Sequence, residues 1–256
     1  MRANEEVKIV KRVHSAPVRC AAVILALACL IASVAAQPST IADRGEIRGL
    51  RLGLQAQSMS ALDGFGALAC GSNGGPPRQP LDDWAEFRKC RPEENGLREV
   101  AARFDDEEEY IGKAIDDPLY AGRKTGTRVS GHPVILSVLF DEYGILRGLR
   151  IVSDPRGTII ERRVAHMLRY AVLGRYDPDG WACTDSPPAP GETSVGGIFL
   201  KQRCEKFMPE RHLTLEARFV RKPGQSDTNP ATGEYRPGQF ESWTRFELFD
   251  PAYLKR

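Results

Sequence analysis

The chain has 256 residues, with 36 basic and 34 acidic side chains and a formal net charge of +2 at pH 7. This near balance excludes the strongly basic face on which binding to a phosphate backbone depends. None of the six cysteines forms a Cys-x-x-Cys pair, which excludes the usual structural zinc motifs.

The N-terminus has the three parts of a secretory signal peptide. Residues 1–19 carry five basic side chains, residues 21–36 form an uncharged apolar run of 16, and the polar segment QPST follows. This order predicts export to the periplasm or beyond, with cleavage after Ala36. With Cys20 the run reaches 17 residues, the lower limit for a bilayer span, so an inner-membrane anchor over residues 20–36 is the alternative.

Cleavage changes the charge balance of the protein. The exported chain of 220 residues would have 31 basic and 32 acidic side chains, because five of the basic ones belong to the leader. We therefore expect no nucleic acid among its partners. A chain of this length can bury the core of one large domain or of two small ones.

Four cysteines remain after cleavage: Cys70, Cys90, Cys183 and Cys204. Outside the cytoplasm an even number predicts disulfides, and four cysteines allow three pairings. The economical pairing is local, Cys70 with Cys90 and Cys183 with Cys204, since the sequence separations are 20 and 21 residues. Each bridge would stabilise the fold by roughly 3 kcal/mol in the chain-entropy model.

Each cysteine pair lies in a segment that repeats short strings in the same order. The strings are RGLR at 48–51 and 147–150, a proline cluster after Cys70 and after Cys183, and ARF at 102–104 and 217–219. The shared order predicts two related units, residues 37–118 and 119–256, and the second has about 14 extra residues between its RGLR string and its first cysteine. The alternative is one α+β domain in which the strings coincide by chance.

In the first unit the predicted elements are a strand-like lead-in, a short helix and three strands. The lead-in is EIRGLRLG, the helix LQAQSMSAL ends at Asp63–Gly64, and the strands are GALACGS, WAEFRKC and LREVAARF. The Gly- and Pro-rich connection after Cys70 predicts a stiffened loop that the disulfide closes.

The second unit begins with the clearest local pattern, a β-hairpin. HPVILSVLF has only one polar residue, Ser137, between Val134 and Phe140, which predicts a strand buried on both faces. DEYG supplies the turn, with Gly144 at a position of positive φ, and ILRGLRIVS returns as the partner strand.

A helix and three strands follow the hairpin. Ser153 or Asp154 is the predicted helix cap, with Pro155 in the first turn. The apolar stripe predicted to face the sheet is Ile160, Val164, Leu168 and Val172. The last strands are VGGIFLKQRC, HLTLEARFVRK and FESWTRFELF. Each unit is thus predicted to be a small antiparallel sheet with a helix on one face, which makes the fold class α+β.

Tandem helix-plus-antiparallel-sheet units, each with a local disulfide, resemble the secreted β-lactamase-inhibitor protein family. IRGLRLG and SMSAL also resemble the lead-in and first helix of the related small outer-membrane assembly lipoproteins. This resemblance of architecture covers the mature chain and implies a non-catalytic protein that presents an open sheet face to a partner. The long hairpin around VILSVLF and the extra residues of the second unit depart from the family.

Common catalytic and cofactor motifs are missing from the sequence. Glu192 replaces the first glycine of G-x-S-x-G around Ser194, and neither a phosphate loop nor a dinucleotide fingerprint occurs. The acidic run at 105–110 and YDPDG at 176–180 lack the spacing of a calcium loop, so we interpret them as a solvated segment and a turn. We therefore expect no cofactor and no metal ion.

Three histidines remain after cleavage, and no two of them have metal-ligand spacing. The alternation in HLTLEARFV predicts His212 on the solvent face of its strand, His166 is predicted on a solvated helix face, and His132 lies at a strand entrance. An enzyme whose site combines His132, Asp141 and distant arginines is one alternative function. A membrane-anchored envelope assembly factor is the other.

The remaining pattern favours recognition over catalysis. Trp243 and Arg245 share one face of FESWTRFELF, beside a strand whose outer face carries Arg218 and His212. Tryptophan and arginine are frequent hot-spot residues of interfaces. An 18-residue connection, longer than usual, carries Tyr235. The sequence thus predicts a non-catalytic periplasmic binding protein that uses these five residues to bind a protein or ligand partner in the envelope.

Overall fold

A computed structural model describes residues 47–62, 64–104 and 127–253, and these residues belong to one compact unit. The predicted signal peptide, its anchor alternative and the acidic run at 105–110 lie outside the described residues. Within the described part of the chain, no helix has both the length and the apolar character that a bilayer span requires.

Most of the described structure is a single antiparallel sheet. Its strands are β1 (Phe65–Cys70), β2 (Pro80–Leu81), β3 (Arg98–Phe104), β4 (Arg128–Val129), β5 (His132–Phe140), β6 (Leu146–Ser153), β7 (Ala182–Asp185), β8 (Leu200–Met208), β9 (Arg211–Val220) and β10 (Glu241–Phe249). The strand order is β2-β1-β3-β5-β6-β10-β9-β8-β7, and β4 pairs with β5 off this path. All of these pairs are antiparallel.

The two predicted units contribute to the same sheet, because β3 pairs directly with β5. Their matched strings agree only in part. RGLR at 48–51 lies in a turn, whereas RGLR at 147–150 lies in β6, and both ARF strings lie in strands. The described residues form a mostly antiparallel sheet with one short, interrupted helix and two disulfides. This arrangement is compatible with the α+β class. It does not show two helix-plus-sheet units.

The hairpin of β5 and β6 has the predicted strands and turn. Gly144 has φ +81°, and a Cβ there would lie 2.9 Å from the ring of Phe87, so both the backbone and the packing require glycine. Asp141 fixes the turn, since its carboxylate accepts the N–H groups of Tyr143 and Ile145 at 2.9 Å each.

Both predicted disulfides are confirmed, but they join different kinds of element. Cys70 ends β1 and Cys90 caps a 3₁₀ helix, whereas Cys183 and Cys204 lie directly opposite each other in β7 and β8. Disulfides of this kind indicate an oxidising, extracytoplasmic environment.

The predicted strand WAEFRKC is wrong, because these residues form the 3₁₀ helix Trp84–Lys89. Asp83 caps the helix by accepting the N–H of Ala85 at 2.7 Å. Trp84 and Phe87, three residues apart, are both buried, as expected when side chains superpose after one 3₁₀ turn. Capping and three-residue spacing therefore outweigh the strand propensity of the aromatic residues.

The main helix begins later than predicted. Thr158 is its N-cap and forms a capping box with Glu161, so helix α1 spans Ile159–Val164. Ser153 is the last residue of β6, and Asp154 holds the turn that follows, so neither caps the helix.

A 3₁₀ turn at Ala165–Met167 separates α1 from the second helix, α2, Leu168–Arg175. The turn has three residues per revolution rather than 3.6, which rotates the apolar stripe of α2 relative to α1. Of the predicted stripe, Leu168 and Val172 are buried, whereas Ile160 and Val164 are exposed.

The interrupted helix covers one face of the sheet, which we call the inner face. Tyr176 stacks on Phe246 with 5.0 Å between ring centroids, and Thr244 Oγ1 donates to the carbonyl of Ala165 at 2.9 Å. Leu168 and Val172 belong to the same core as Tyr176 and Phe246. The opposite side, the outer face, is left for polar residues and loops.

Candidate functional site

Charged side chains on β6, β10 and β9 form rows across the outer face. Glu247 of β10 lies opposite Arg150 on β6 and opposite Thr214 on β9, and Arg245 lies opposite Glu216. Partners in register point to the same face of a sheet, so these side chains are neighbours. The intervening residues of β10 are buried on the inner face.

These rows form the floor of a cleft of about 690 Å³, within the usual range for small-ligand pockets. Its walls come from the loop after β1, the turn before β3 and the C-terminal segment after β10. The lining side chains include Asn73, Glu93, Arg203, His212, Phe249 and Tyr253.

The loop after β1 is the wall that the segment CGSNGGPP supplies. The carboxylate of Glu99 accepts the N–H of Asn73 at 2.5 Å and that of Gly74 at 3.0 Å. Arg245 donates to the carbonyl oxygen and to Oδ1 of Asn73, at 2.9 and 2.6 Å. A Cβ on Gly74 would lie 2.4 Å from Cγ2 of Val152, so only glycine permits this approach of the loop to the sheet.

Arg150 is the centre of the floor, and only 3% of its side chain is exposed. Its Nε donates to Glu247 Oε1 at 2.6 Å, and its two Nη atoms donate to the two carboxylate oxygens of Glu93 at 2.7 and 3.1 Å. Glu99 Oε2 lies 3.0 Å from Nη1. One guanidinium thus holds three carboxylates in fixed positions.

The protonation states of the floor follow from this arrangement. Burial alone would lower the pKa of Arg150, but its hydrogen bond with Glu93 and the charges of Glu99 and Glu247 raise that pKa further above neutrality. Burial alone would raise the pKa of Glu247, but the charges of Arg150 and Arg245 lower it. Both groups therefore remain ionised at neutral pH.

A second charged cluster lies further along the outer face. Arg203 of β8 donates from Nε and Nη2 to Glu205 Oε1, at 3.0 and 2.8 Å, and from Nη1 to Glu216 Oε1 at 2.7 Å. Hydrogen bonding to Glu205 and the charge of Glu216 raise the pKa of Arg203. More than half of this arginine is exposed, and Arg203 and Glu216 both line the cleft.

His212 lies on the outer face as predicted, but the prediction that it is solvated is wrong. Only 9% of its side chain is exposed. Its ring stacks on Phe207 with 4.2 Å between centroids, and Phe249 is its partner in register on β10. Aromatic neighbours on both adjacent strands therefore remove it from water, which the alternation of one strand does not reveal.

Both ring nitrogens of His212 lack a hydrogen-bond partner among the described residues. Glu205 Oε2 lies 3.9 Å from Nε2, too far for a hydrogen bond. Burial lowers the pKa of His212; the charge of Glu205 opposes this effect and that of Arg203 adds to it. At neutral pH the ring is therefore uncharged, and its N–H donor and its acceptor nitrogen are both buried.

Comparison with known proteins adds no assignment at this point. No protein-family model, curated protein or solved structure matches this chain. The resemblance to the β-lactamase-inhibitor family therefore stays a prediction.

The structure brings two of the five predicted binding residues, Arg245 and His212, into the cleft. Trp243 and Arg218 lie on the same outer face, opposite each other in register, and the guanidinium of Arg218 is 5.3 Å from the Trp243 ring. Trp243 Nε1 donates to Glu241 at 2.6 Å. These residues form a half-buried patch that continues the face beyond Arg245.

Tyr235 is separate from the residues that line the cleft. It is 67% exposed and pairs with Thr228 in an isolated β-bridge, so the connection between β9 and β10 folds back on itself. This geometry is that of a hairpin-like tip.

The histidines outside the cleft do not form a catalytic group. His166, predicted on a solvated face, is buried, because the break in the helix turns its ring onto Phe219 at 4.2 Å. His132 and Asp141 lie at the two ends of β5 and its turn, about 30 Å apart at the usual rise per residue. Asp141 binds Arg147 and the turn, which gives it a structural role.

The YDPDG segment is a turn, as predicted, and its carbonyl groups bind a side chain. Lys206 Nζ donates to the carbonyl oxygens of Tyr176, Asp177 and Asp179 at 2.8, 2.9 and 2.6 Å. The buried ammonium group of Lys206 therefore occupies the space between these three carbonyl oxygens, where a bound metal ion would have to lie. Among the described residues, no cluster of three histidine, cysteine, aspartate or glutamate side chains has the geometry to hold a metal ion.

Sequence reasoning missed the central residue of the site, Arg150, and its partners Glu93 and Glu99. A signal was present, since Arg150 is a charge in a strand whose neighbours are almost all apolar. Such a charge is costly to bury unless it is paired, so it predicts buried carboxylates nearby. Its partners follow from the register of distant strands, which no local pattern encodes.

Proposed function

We propose that this chain is an exported, non-catalytic binding protein of the bacterial envelope. In this proposal it takes part of a protein or ligand partner into the cleft on the outer face of its sheet. The observation that carries the proposal is a cleft whose charged side chains hold one another in place through ion pairs. In the same cleft, the ring of His212 has no hydrogen-bond partner among the described residues. A preorganised site of this kind binds without a large ordering cost.

The compartment assigned in this proposal rests on two independent features. The leader has the pattern of a signal peptide, and the two disulfides fit an oxidising environment. Cleavage after Ala36 would release the protein, whereas retention of residues 20–36 would anchor it as an assembly factor. N-terminal sequencing of the exported protein decides this, and the expected first residue is Gln37.

The proposal keeps residues 37–118 and 119–256 as two related units that form halves of one sheet. The support is the common order of their strings and the nearly equal separations of the bridged cysteines, 20 and 21 residues. Because β3 pairs with β5, neither half is expected to fold fully alone.

Filling the cleft tests the binding role directly. Thr214→Trp adds a large side chain to a residue that lines the cleft and leaves every charge in place. Thr184→Trp is the matched control, because Thr184 is exposed on the edge strand β7. In capture from an envelope extract, the native protein and the control should retain a partner that the Thr214 variant loses. The same set of captured molecules for all three proteins would reject the proposal.

A further inference from the structure

The interrupted helix on the inner face presents a second stripe of apolar side chains to solvent. Ten large apolar side chains are exposed among the described residues, and half of them lie between positions 159 and 170: Ile159, Ile160, Val164, Met167 and Tyr170. Spacings of four and three residues place Ile160, Val164 and Met167 on one side of the helix. Ile160 is the most exposed of the ten, at 74%. Such a concentration marks an interaction surface, whereas single exposed apolar residues are normal.

The same helix carries a local excess of positive charge. Residues 159–175 include four arginines and one acidic residue, Glu161, whose carboxylate already pairs with Arg128 of β4. Among the described residues, no carboxylate forms an ion pair with Arg162 or Arg163. The exported chain as a whole would have 31 basic and 32 acidic side chains, so this excess belongs to the helix. An anionic partner is therefore attracted to this face rather than to the protein in general.

Two loops border the stripe without covering it. A Cβ on Gly238 would lie 2.9 Å from Cδ1 of Ile159, and a Cβ on Gly196 would lie 3.7 Å from Nη2 of Arg163. Ile198, which closes the same tight turn as Gly196, is also exposed. The face thus combines exposed aliphatic side chains with guanidinium groups that no carboxylate neutralises.

The size and charge of this face favour a lipid bilayer over a protein as its partner. A helix of 17 residues is about 25 Å long and about 10 Å wide, so its outer surface offers roughly 250 Å². A stable protein interface buries about 800 Å² on each partner. A two-fold contact with a second copy would also bring Arg162 and Arg163 close to their own equivalents. A bilayer surface needs only a few inserted apolar side chains with basic groups beside them.

We propose that this face of the helix binds the surface of an anionic lipid bilayer. The aliphatic side chains of the stripe enter the boundary between headgroups and acyl chains, and Arg162 and Arg163 bind the lipid phosphates. Tyr170 lies at the level of the headgroups, where amphipathic aromatic side chains are enriched. The cleft is on the opposite face of the same sheet, so a bound bilayer leaves it open to solvent. This contact does not require the leader, and it goes beyond the proposed binding function.

Vesicle flotation tests the proposal with the exported chain, residues 37–256. This form contains the compact unit and lacks the apolar leader, which would bind bilayers by itself. The probes are vesicles of phosphatidylglycerol mixed with phosphatidylethanolamine, and vesicles of phosphatidylcholine alone. At neutral pH and low salt, we expect the partition coefficient to be about tenfold or more higher for the anionic vesicles. It should fall as the salt concentration is raised towards about 1 M.

A double variant tests the role of charge. Arg162→Gln with Arg163→Gln should weaken binding to the anionic vesicles about tenfold or more, because each arginine near such a surface contributes about fivefold. The matched control is Arg51→Gln with Arg78→Gln, which removes the same charge from two exposed positions outside the helix. This control should change the partition coefficient by about twofold or less.

A second pair of variants tests the role of the apolar stripe. Ile160→Ser should weaken binding to the anionic vesicles about tenfold or more, because the lost side chain no longer enters the bilayer. Tyr143→Ser removes a side chain of similar exposure from the turn between β5 and β6 and should bind as the native protein does. Both variants should melt near the native temperature, since neither side chain is buried.

A dye reports whether the stripe enters the bilayer. Ile160→Cys places one free thiol in the exported chain, because its four natural cysteines are paired in disulfides. An environment-sensitive dye on this thiol should shift its emission to shorter wavelength when anionic vesicles are added. The same dye attached through Tyr143→Cys should show no shift.

Equal binding to both kinds of vesicle, binding to neither, or equal binding of the native protein and the Arg162 and Arg163 variant would overturn the proposal. So would an unchanged dye emission. A dimer that Ile160→Ser abolishes in the absence of lipid would assign the face to a second copy and reject the bilayer. Binding of lipid only after the carboxylates at 105–109 are replaced by amides would assign the face to that acidic run and also reject it. None of these results bears on the cleft, which the Thr214 variant tests separately.

Discussion

Removal of the buried guanidinium at the centre of the cleft should be the most destabilising single change on the outer face. Arg150→Met keeps the aliphatic stem but leaves Glu93, Glu99 and Glu247 without their shared cation. Breaking a buried ion pair by removing one partner costs about 3–5 kcal/mol. Glu93 and Glu247 are partly exposed and regain some water, so we expect a loss near the lower end, about 3 kcal/mol.

Urea unfolding followed by far-ultraviolet circular dichroism measures this loss. Arg156→Met is the matched control: it removes an arginine that pairs with Asp154 at the surface, and we expect a change below about 1 kcal/mol. The double variant Arg150→Met with Glu247→Gln should recover part of the loss, since one of the unpaired carboxylates becomes neutral.

The pH dependence gives a second, independent test of the same reasoning. Without Arg150, only Arg245 opposes the effect of burial on Glu247, so the pKa of Glu247 in the folded state should rise. A raised folded pKa makes the variant relatively more stable in acid and less stable as the pH rises. The deficit should therefore shrink as the pH falls towards 4. A deficit below about 1 kcal/mol at pH 7, or one that does not change with pH, would refute the electrostatic account of the cleft floor.

Three further predictions concern the bridges, the histidines and the hairpin. Replacing Cys183 and Cys204 by alanine should lower the free energy of unfolding by roughly 3 kcal/mol in urea titrations, and reductant should then have a smaller effect than on the native protein. Burial is the main cause that lowers the pKa values of His132, His166 and His212, so the unfolded chain takes up protons at a higher pH than the folded chain does. The stability of the fold should therefore fall as the pH drops from about 7 through 6.5. In thermal melts between pH 7 and pH 5, the melting temperature of the His166→Phe variant should depend less on pH than that of the native protein. Gly144→Ala should lower the free energy of unfolding by more than about 1 kcal/mol, because φ is +81° and the new Cβ would meet Phe87. Gly233→Ala should lower it less, because φ is similar at +71° but the space around this residue is open. Equal losses of unfolding free energy in denaturant titrations would contradict the packing argument.

Local patterns predicted the elements whose determinants are local. The hairpin of β5 and β6 combines a continuous apolar run with a turn that needs glycine, and both signals lie within about 20 residues of sequence. The disulfides follow from cysteine spacing in the same way. The 3₁₀ helix at Trp84–Lys89 was missed because its aromatic residues have strand propensity and its cap, Asp83, is a weak signal by itself.

The site itself depends on contacts that are distant in sequence. Arg150 pairs with Glu93 and Glu247, which are 57 and 97 residues away. His212 was placed correctly on the outer face from alternation, but its burial comes from Phe207 and Phe249 on the two adjacent strands. Strand order is what makes these side chains neighbours, and a single sequence without a known fold does not specify that order.

Short, proline-bordered edges limit how a partner can reach this sheet. The first edge, β2, has two residues and begins with Pro80, and the other edge, β7, has four residues and is followed closely by Pro187 and Pro188. Proline offers no N–H for a further strand, and short edges give little backbone to pair with. Strand addition by another polypeptide is therefore disfavoured at either margin, which leaves the broad surface and its loops as the route of recognition.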